Sequence, residues 1–255
     1  MNRIDDAFKN KPILMPYFPL GYPDLETSID IIEALAKNGA DLIEVGLSFS
    51  DPLADGPVIQ RATQVALEKG ITVQKSIEAV KEIRKRGVTI PLIFMGYFNP
   101  ILSYGLEKFI HDAREAGADG FIIPDLPLEE SGELQALVGD MPLIPMLAPT
   151  SPDERMEAIG RNAKGFIYLV SVTGVTGERK SISEGLGDLI QRVREYTSAP
   201  VSVGFGIGTP AQAKQVGALA DGVIVGSACV KTIGESDQPI EMAKQFAAEF
   251  RDAMK

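Results

Sequence analysis

Glu44 sits in the run Leu42-Ile43-Glu44-Val45-Gly46, where apolar β-branched residues flank a single carboxylate. Side chains alternate between the two faces of a strand, so Ile43 and Val45 share one face and Glu44 shares the other with Leu42. In a barrel strand the Ile43/Val45 face suits the surrounding helices and Glu44 points inward. A carboxylate there is costly unless it is paired, hydrogen-bonded or protonated, and burial raises its pKa toward the range useful for acid–base catalysis. The plain alternative is a glutamate satisfied by a buried lysine or a backbone amide. The following segment, Leu47-Ser48-Phe49-Ser50-Asp51-Pro52-Leu53-Ala54-Asp55-Gly56-Pro57, carries two aspartates among turn formers. Asp51 before Pro52 reads as a turn residue. Asp55 is suited either to chemistry or to capping a helix over 57–67 that has Pro57 at its first position.

Glycines gather late in the chain, in Val203-Gly204-Phe205-Gly206-Ile207-Gly208 and in Gly226-Ser227-Ala228. Each follows an apolar run. Glycine lets a backbone approach a ligand, and free amides at a helix start attract an anion, so these positions fit a phosphate site. The alternative is simple turn glycines. A Thr/Gly-rich stretch, 171–185, has the composition of a loop that closes over a ligand. Tyr168 lies on the preceding apolar run in phase with Phe166; its alternative role is a packed aromatic with a locally satisfied hydroxyl. The single histidine, His111, falls among charges at 106–114 and reads as solvated. Cys229 reads as a small packed residue. No cluster has metal-ligand spacing.

The elements that must position these groups repeat along the chain. Short apolar runs occur at 13–18, 42–45, 91–95, 120–123, 142–147, 165–170, 200–203 and 222–225, and amphipathic stretches at 25–38, 76–86, 106–116, 152–161, 186–196 and 210–219 lie between them. Eight such alternations predict one α/β domain over 1–255, a single (β/α)8 TIM barrel with extra N- and C-terminal helices. In that fold the ends of strands and the loops after them carry the active site, and the loops after strands seven and eight often hold a phosphate. A helix-stop signature recurs before three of the runs, as Gly39-Ala40-Asp41, Gly117-Ala118-Asp119 and Leu219-Ala220-Asp221. The 255 residues include 25 Lys and Arg against 35 Asp and Glu, a net charge of −10 that disfavours nucleic acid and acidic membranes as partners. With one cysteine no intramolecular disulfide forms, the N-terminus lacks a signal-peptide pattern, and no run reaches the ~18 apolar residues of a membrane span, so a cytoplasmic location is expected.

The string 43–60, with Phe49-Ser50-Asp51-Pro52-Leu53-Ala54-Asp55-Gly56-Pro57 at its centre, resembles the signature of tryptophan synthase α subunits. So do Pro124-Asp125-Leu126-Pro127 with Glu129-Glu130-Ser131, Tyr168-Leu169-Val170-Ser171 with Gly174-Val175-Thr176-Gly177, and Gly204-Phe205-Gly206-Ile207. The resemblance runs in order from Pro16 to Lys231. It implies a lyase that cleaves indole-3-glycerol phosphate by a retro-aldol step to indole and glyceraldehyde 3-phosphate. Glu44 would match the catalytic glutamate that shuttles a proton between the glycerol hydroxyl and indole C3, and Asp55 the aspartate that engages the indole N–H. Tyr17, Met95, Tyr168 and Phe205 would line the indole and glycerol pocket, and Gly177, Gly206, Gly226 and Ser227 would contact the phosphate. Thr176 would belong to the closing loop and touch Asp55. Asp125 and the segment 97–99 would lie toward a pyridoxal-phosphate-dependent β subunit in an α2β2 heterotetramer, with no cofactor in this chain. The alternatives are a stand-alone indole-glycerol phosphate lyase and a catalytically weak subunit that activates its β partner. Ser48 stands where the family usually has proline and Pro19 where a threonine is common, which bears on loop rigidity and subunit coupling rather than on the reaction class.

Overall fold

The computed structural model describes residues 2–170, 185–204 and 206–255. Its elements follow in chain order: α1 (Arg3–Ala7), β1 (Ile13–Pro19), α2 (Leu25–Lys37), β2 (Ile43–Gly46), α3 (Pro57–Glu68), α4 (Val73–Lys85), β3 (Leu92–Met95), α5 (Phe98–Tyr104), α6 (Leu106–Ala116), β4 (Gly120–Ile122), α7 (Gly132–Val138), β5 (Met146–Leu147), α8 (Asp153–Asn162), β6 (Ile167–Val170), α9 (Leu186–Arg194), β7 (Val201–Gly204), α10 (Pro210–Gly217), β8 (Gly222–Val225), α11 (Ser227–Gly234) and α12 (Pro239–Ala253). The eight strands are parallel, each beside its neighbours in sequence, and β8 pairs back onto β1. The seam between β4 and β5 is closed by a bridge of Phe121 with Leu143. Phe121 N–H donates to Pro142 O at 3.0 Å and Ile144 N–H to Phe121 O at 2.8 Å. This is the closed (β/α)8 barrel, with the apolar interior of the strands and the inner stripes of the helices forming one continuous core.

Each strand lies within a residue or two of its apolar run except β5. The run 142–147 contains Pro142 and Pro145, which have no N–H to donate, so only Met146–Leu147 keeps a regular ladder and Leu143 contributes a single bridge. Gly120 is needed at this seam, because a Cβ there would lie 2.8 Å from Pro142 O.

The recurring aspartates staple the strand starts. The carboxylates of Asp41, Asp119 and Asp221 accept the N–H groups of Leu14, Leu92 and Val201, each on the preceding strand, at 2.8, 2.8 and 2.9 Å. Each is also paired with cations: Asp41 with Arg251 at 3.0 Å, Asp119 with Arg84 at 2.5 Å and Arg3 at 2.8 Å, and Asp221 with Lys11 at 2.6 Å and Arg194 at 3.1 Å. The extra end helices close this side of the barrel. Ile4 of α1 and the following Phe8 are buried, and Phe8 packs on Phe166 at 5.6 Å between centroids. Arg251 of α12 donates to Pro12 O as well as to Asp41. With the strand starts tied down here, the loops that follow the strands, and the candidate site residues on them, lie toward the opposite, C-terminal ends.

Candidate active site

Glu44 is placed by β2 in register with Tyr17 of β1 and Ile93 of β3. It is only 1% exposed, and Ile43 and Val45 on its flanks are fully buried. Its Oε1 has no hydrogen-bond partner among the described residues. Burial pushes its pKa from 4.5 up to about 8, because removal from water penalises the ionised form. Burial thus favours the neutral carboxylic acid form of this side chain near neutral pH. The alternative of a glutamate matched by a buried lysine does not apply among the described residues.

Asp55 ends the loop that follows β2. The N-cap of α3 is Gly56, with no capping side-chain hydrogen bond, and Pro57 opens the helix. The Asp55 carboxylate is therefore not the cap that its position in sequence allowed. Asp55 backbone groups are held instead, by Asp55 N–H donating to Pro52 O and by the Gln60 amide donating to Asp55 O at 2.7 Å. The side chain turns inward and the residue is 5% exposed. Burial raises its pKa from 3.8 to about 6, and hydrogen bonding from the Tyr97 hydroxyl opposes the rise. Asp51 behaves as a turn residue: Ser50 Oγ donates to its carboxylate at the surface. His111 is exposed on α6 and Cys229 is buried, as their sequence contexts implied.

Two buried tyrosines lie within electrostatic reach of both carboxylates. Burial raises the Tyr17 and Tyr168 pKa values well above 10, and after burial both hydroxyls respond to the charges of Glu44 and Asp55. The four groups thus face one space. Two glycines make room for the rings. A Cβ at Gly46 would lie 2.3 Å from Tyr17 Oη, and a Cβ at Gly204 would lie 2.4 Å from Tyr168 Oη. Each tyrosine therefore lies across the end of a neighbouring strand, β2 for Tyr17 and β7 for Tyr168. Met95 ends β3 beside Gly46 in the ladder and is buried at the same level.

Gly226 borders this space, 3.9 Å from Tyr17 Cβ when a Cβ is built on it. It is the N-cap of α11, whose start has no capping side-chain hydrogen bond and whose first residue, Ser227, is nearly buried. Gly206 has φ of +83°, a backbone state that favours glycine. Thr176, Gly177 and Phe205, also expected at the site, lie outside the described residues.

A sequence model of the family described as "Tryptophan synthase alpha chain" matches residues 5–255. The chain belongs to the tryptophan synthase alpha chain family. A tryptophan synthase alpha chain from Chloroflexus aggregans is 46% identical over 99% of this chain and 97% of its own length. The crystal structure of the tryptophan synthase alpha chain from Legionella pneumophila superposes with a TM-score of 0.91 at 36% identity, covering 100% of this chain and 97% of that one. A structure of tryptophan synthase from Mycobacterium tuberculosis gives a TM-score of 0.91 at 36% identity over 99% and 98% of the two chains.

Within this family setting, sequence reasoning missed one residue. Tyr97 falls in a segment assigned to the partner-facing surface, yet its side chain is 4% exposed and its hydroxyl stands against Asp55 and accepts Ala54 N–H at 2.9 Å. A tyrosine directly after the strand-ending Met95-Gly96 pair was the available signal. Ser48, at the family's proline position, has a buried Oγ with no partner among the described residues.

Proposed function

We propose that this chain performs the tryptophan synthase alpha reaction, cleavage of indole-3-glycerol phosphate to indole and glyceraldehyde 3-phosphate, with Glu44 as the proton carrier and Asp55 as the fixed anion. The observation that carries this reading is the pair of buried carboxylates with separated pKa values, about 8 and about 6, facing one space at the C-terminal end of the barrel. Between those values Glu44 is neutral and Asp55 is ionised. Glu44 gives its proton to C3 of the indole ring, and the positive charge that appears at the ring N–H is met by the Asp55 carboxylate. Glu44, now a carboxylate, takes the proton of the hydroxyl on the carbon attached to C3. That O–H pair becomes the aldehyde C=O, the C–C bond breaks, and its electrons restore the aromatic ring. The proton is back on Glu44 and none is consumed. Met95 and the rings of Tyr17 and Tyr168 offer the apolar walls an indole needs. The phosphate is read onto the backbone of Gly206 and the start of α11 at Gly226 and Ser227, which lets a chain of charge −10 hold an anion without a cationic side chain.

The partner in this reading is the β subunit, in an α2β2 assembly, where pyridoxal phosphate belongs to the β chain. Among the described residues no helix is long and apolar enough to cross a membrane, and a cytoplasmic setting is inferred. The deciding experiment is indole release from indole-3-glycerol phosphate, with and without a β subunit, by wild type, Glu44→Gln and Asp55→Asn. Each substitution is expected to lower turnover by at least ~10²-fold, the scale of a lost acid–base group. Wild-type rates in either variant would refute its assigned role. Fast turnover without any β subunit would favour the stand-alone lyase.

A further inference from the structure

We propose that the Asn38–Gly39 peptide is a site of spontaneous deamidation whose rate is gated by α12. Asn38 is the C-cap of α2 and is half-buried, and Gly39 follows it with φ of +136°. Glycine has no Cβ to shield its own nitrogen, so the side-chain amide before it is left open to attack. The Gly39 nitrogen is also unengaged. The N–H groups on either side, of Asn38 and Ala40, both donate to Leu35 O, at 3.3 and 3.1 Å, whereas Gly39 N–H donates to no carbonyl among the described residues. In the reaction the Gly39 nitrogen bonds to the Asn38 side-chain carbonyl carbon and the C–NH2 bond breaks. The Gly39 N–H proton leaves with the departing amide nitrogen as ammonia. Water then opens the five-membered imide at either carbonyl and leaves aspartate or isoaspartate at position 38. Water is the only co-reactant.

The fold holds this chemistry back. The Asn38 side-chain amide donates to Ala34 O at 2.7 Å, and ψ of 16° at Asn38 turns the Gly39 nitrogen away from the side-chain carbonyl. Ring closure requires that ψ to rotate, which swings Gly39. Gly39 is clamped by α12: a Cβ built on it would lie 2.9 Å from both Ala247 O and Arg251 Cβ. Arg251 in turn ties α12 down, donating to Pro12 O at 3.0 Å and pairing with Asp41 at 3.0 Å. The reactive geometry is therefore reached only when the junction of α2 and α12 opens. Isoaspartate adds one backbone atom beside this packed glycine, so the clamp does not re-form around it.

The test ages the full chain in mildly alkaline buffer beside a synthetic peptide of residues 34–42, and follows residue 38 by peptide mass mapping and by isoaspartate-specific methyl transfer. The folded chain is expected to convert at Asn38 more slowly than the peptide. Arg251→Ala, which unties α12, is expected to convert about ten-fold faster than wild type, the scale of a lost hydrogen bond to a charged group acting on the opening equilibrium. Urea below the unfolding transition favours the same opening and is expected to speed conversion of wild type, which tests the gate without a substitution. Converted chains are expected to unfold at lower urea than unconverted ones, and Asn38→Gln is expected to stay unmodified. An Asn38 that remains intact in wild type, with and without urea, after the peptide has converted overturns the site. Conversion of the folded chain as fast as the peptide, or at a rate that neither Arg251→Ala nor urea changes, overturns the gate.

Discussion

The pH dependence of kcat/KM follows directly from the two carboxylates. In the mechanism proposed above, the active form of the free protein has Asp55 ionised and Glu44 protonated, with values of about 6 and about 8. At pH 7 roughly nine-tenths of the molecules satisfy each condition and roughly four-fifths satisfy both. At pH 5 only about one-tenth have Asp55 ionised, and at pH 9 about one-tenth keep Glu44 protonated, so kcat/KM is expected to fall roughly nine-fold on either side of a maximum near pH 7. The assay is continuous detection of indole release under subsaturating substrate from pH 4.5 to 9.5, with the β subunit held constant. A phosphate monoester also titrates near pH 6, so the limbs are assigned with variants. The residual rate of Asp55→Asn should lose the acid limb and keep the alkaline one, and Glu44→Gln should do the reverse. An acid limb that survives in Asp55→Asn belongs to the substrate phosphate and refutes the assignment to Asp55. A profile with no alkaline limb below pH 9 refutes the neutral state of Glu44.

Stability should respond to the same burial. Because the folded-state pKa of Glu44 lies above the ordinary 4.5, the folded protein holds a proton that the unfolded chain releases, and stability drains away as pH rises from about 4.5 to about 8. The gap sets an upper limit of about 5 kcal/mol, so Glu44→Gln is expected to be close to neutral at pH 4 and stabilising by a few kcal/mol at pH 9 in urea unfolding; equal effects at both pH values would contradict this. Gly204→Ala places a Cβ 2.4 Å from Tyr168 Oη, so the variant is expected to lose ~1–3 kcal/mol and to lower kcat, and unchanged activity with unchanged stability would show that the ring does not lie across β7. Glyceraldehyde 3-phosphate is expected to compete with substrate while glyceraldehyde barely binds, and equal competition by the two would remove the phosphate site from Gly206, Gly226 and Ser227.

The strands were readable because each is a short apolar run between helical patterns, and Glu44 was readable because alternation along one strand suffices to aim it. β5 was over-read, since the apolar run hides two prolines that cannot donate to a ladder. The short helices α5, α7 and α11 left weak patterns, being only seven or eight residues long. Asp55 was ambiguous because a residue two before the first helical turn differs from a cap only by the local backbone, which the structure supplies. The aspartates at the strand starts were visible as a repeat, but their partners, such as Arg84 for Asp119 and Arg251 for Asp41, lie far away in sequence. Tyr97 was hidden for the same reason: Ala54 is 43 positions away, and only the start of α5 turns the hydroxyl inward.

The division of labour between a neutral Glu44 and an ionised Asp55 is most directly tested by infrared difference titration of their carboxyl bands, using Glu44→Gln and Asp55→Asn to assign each signal. The expected result is a protonated Glu44 band at pH 7 that disappears with a midpoint near 8, and an Asp55 band already ionised at pH 7 with a midpoint near 6. A Glu44 band that is fully ionised at pH 6 would contradict it.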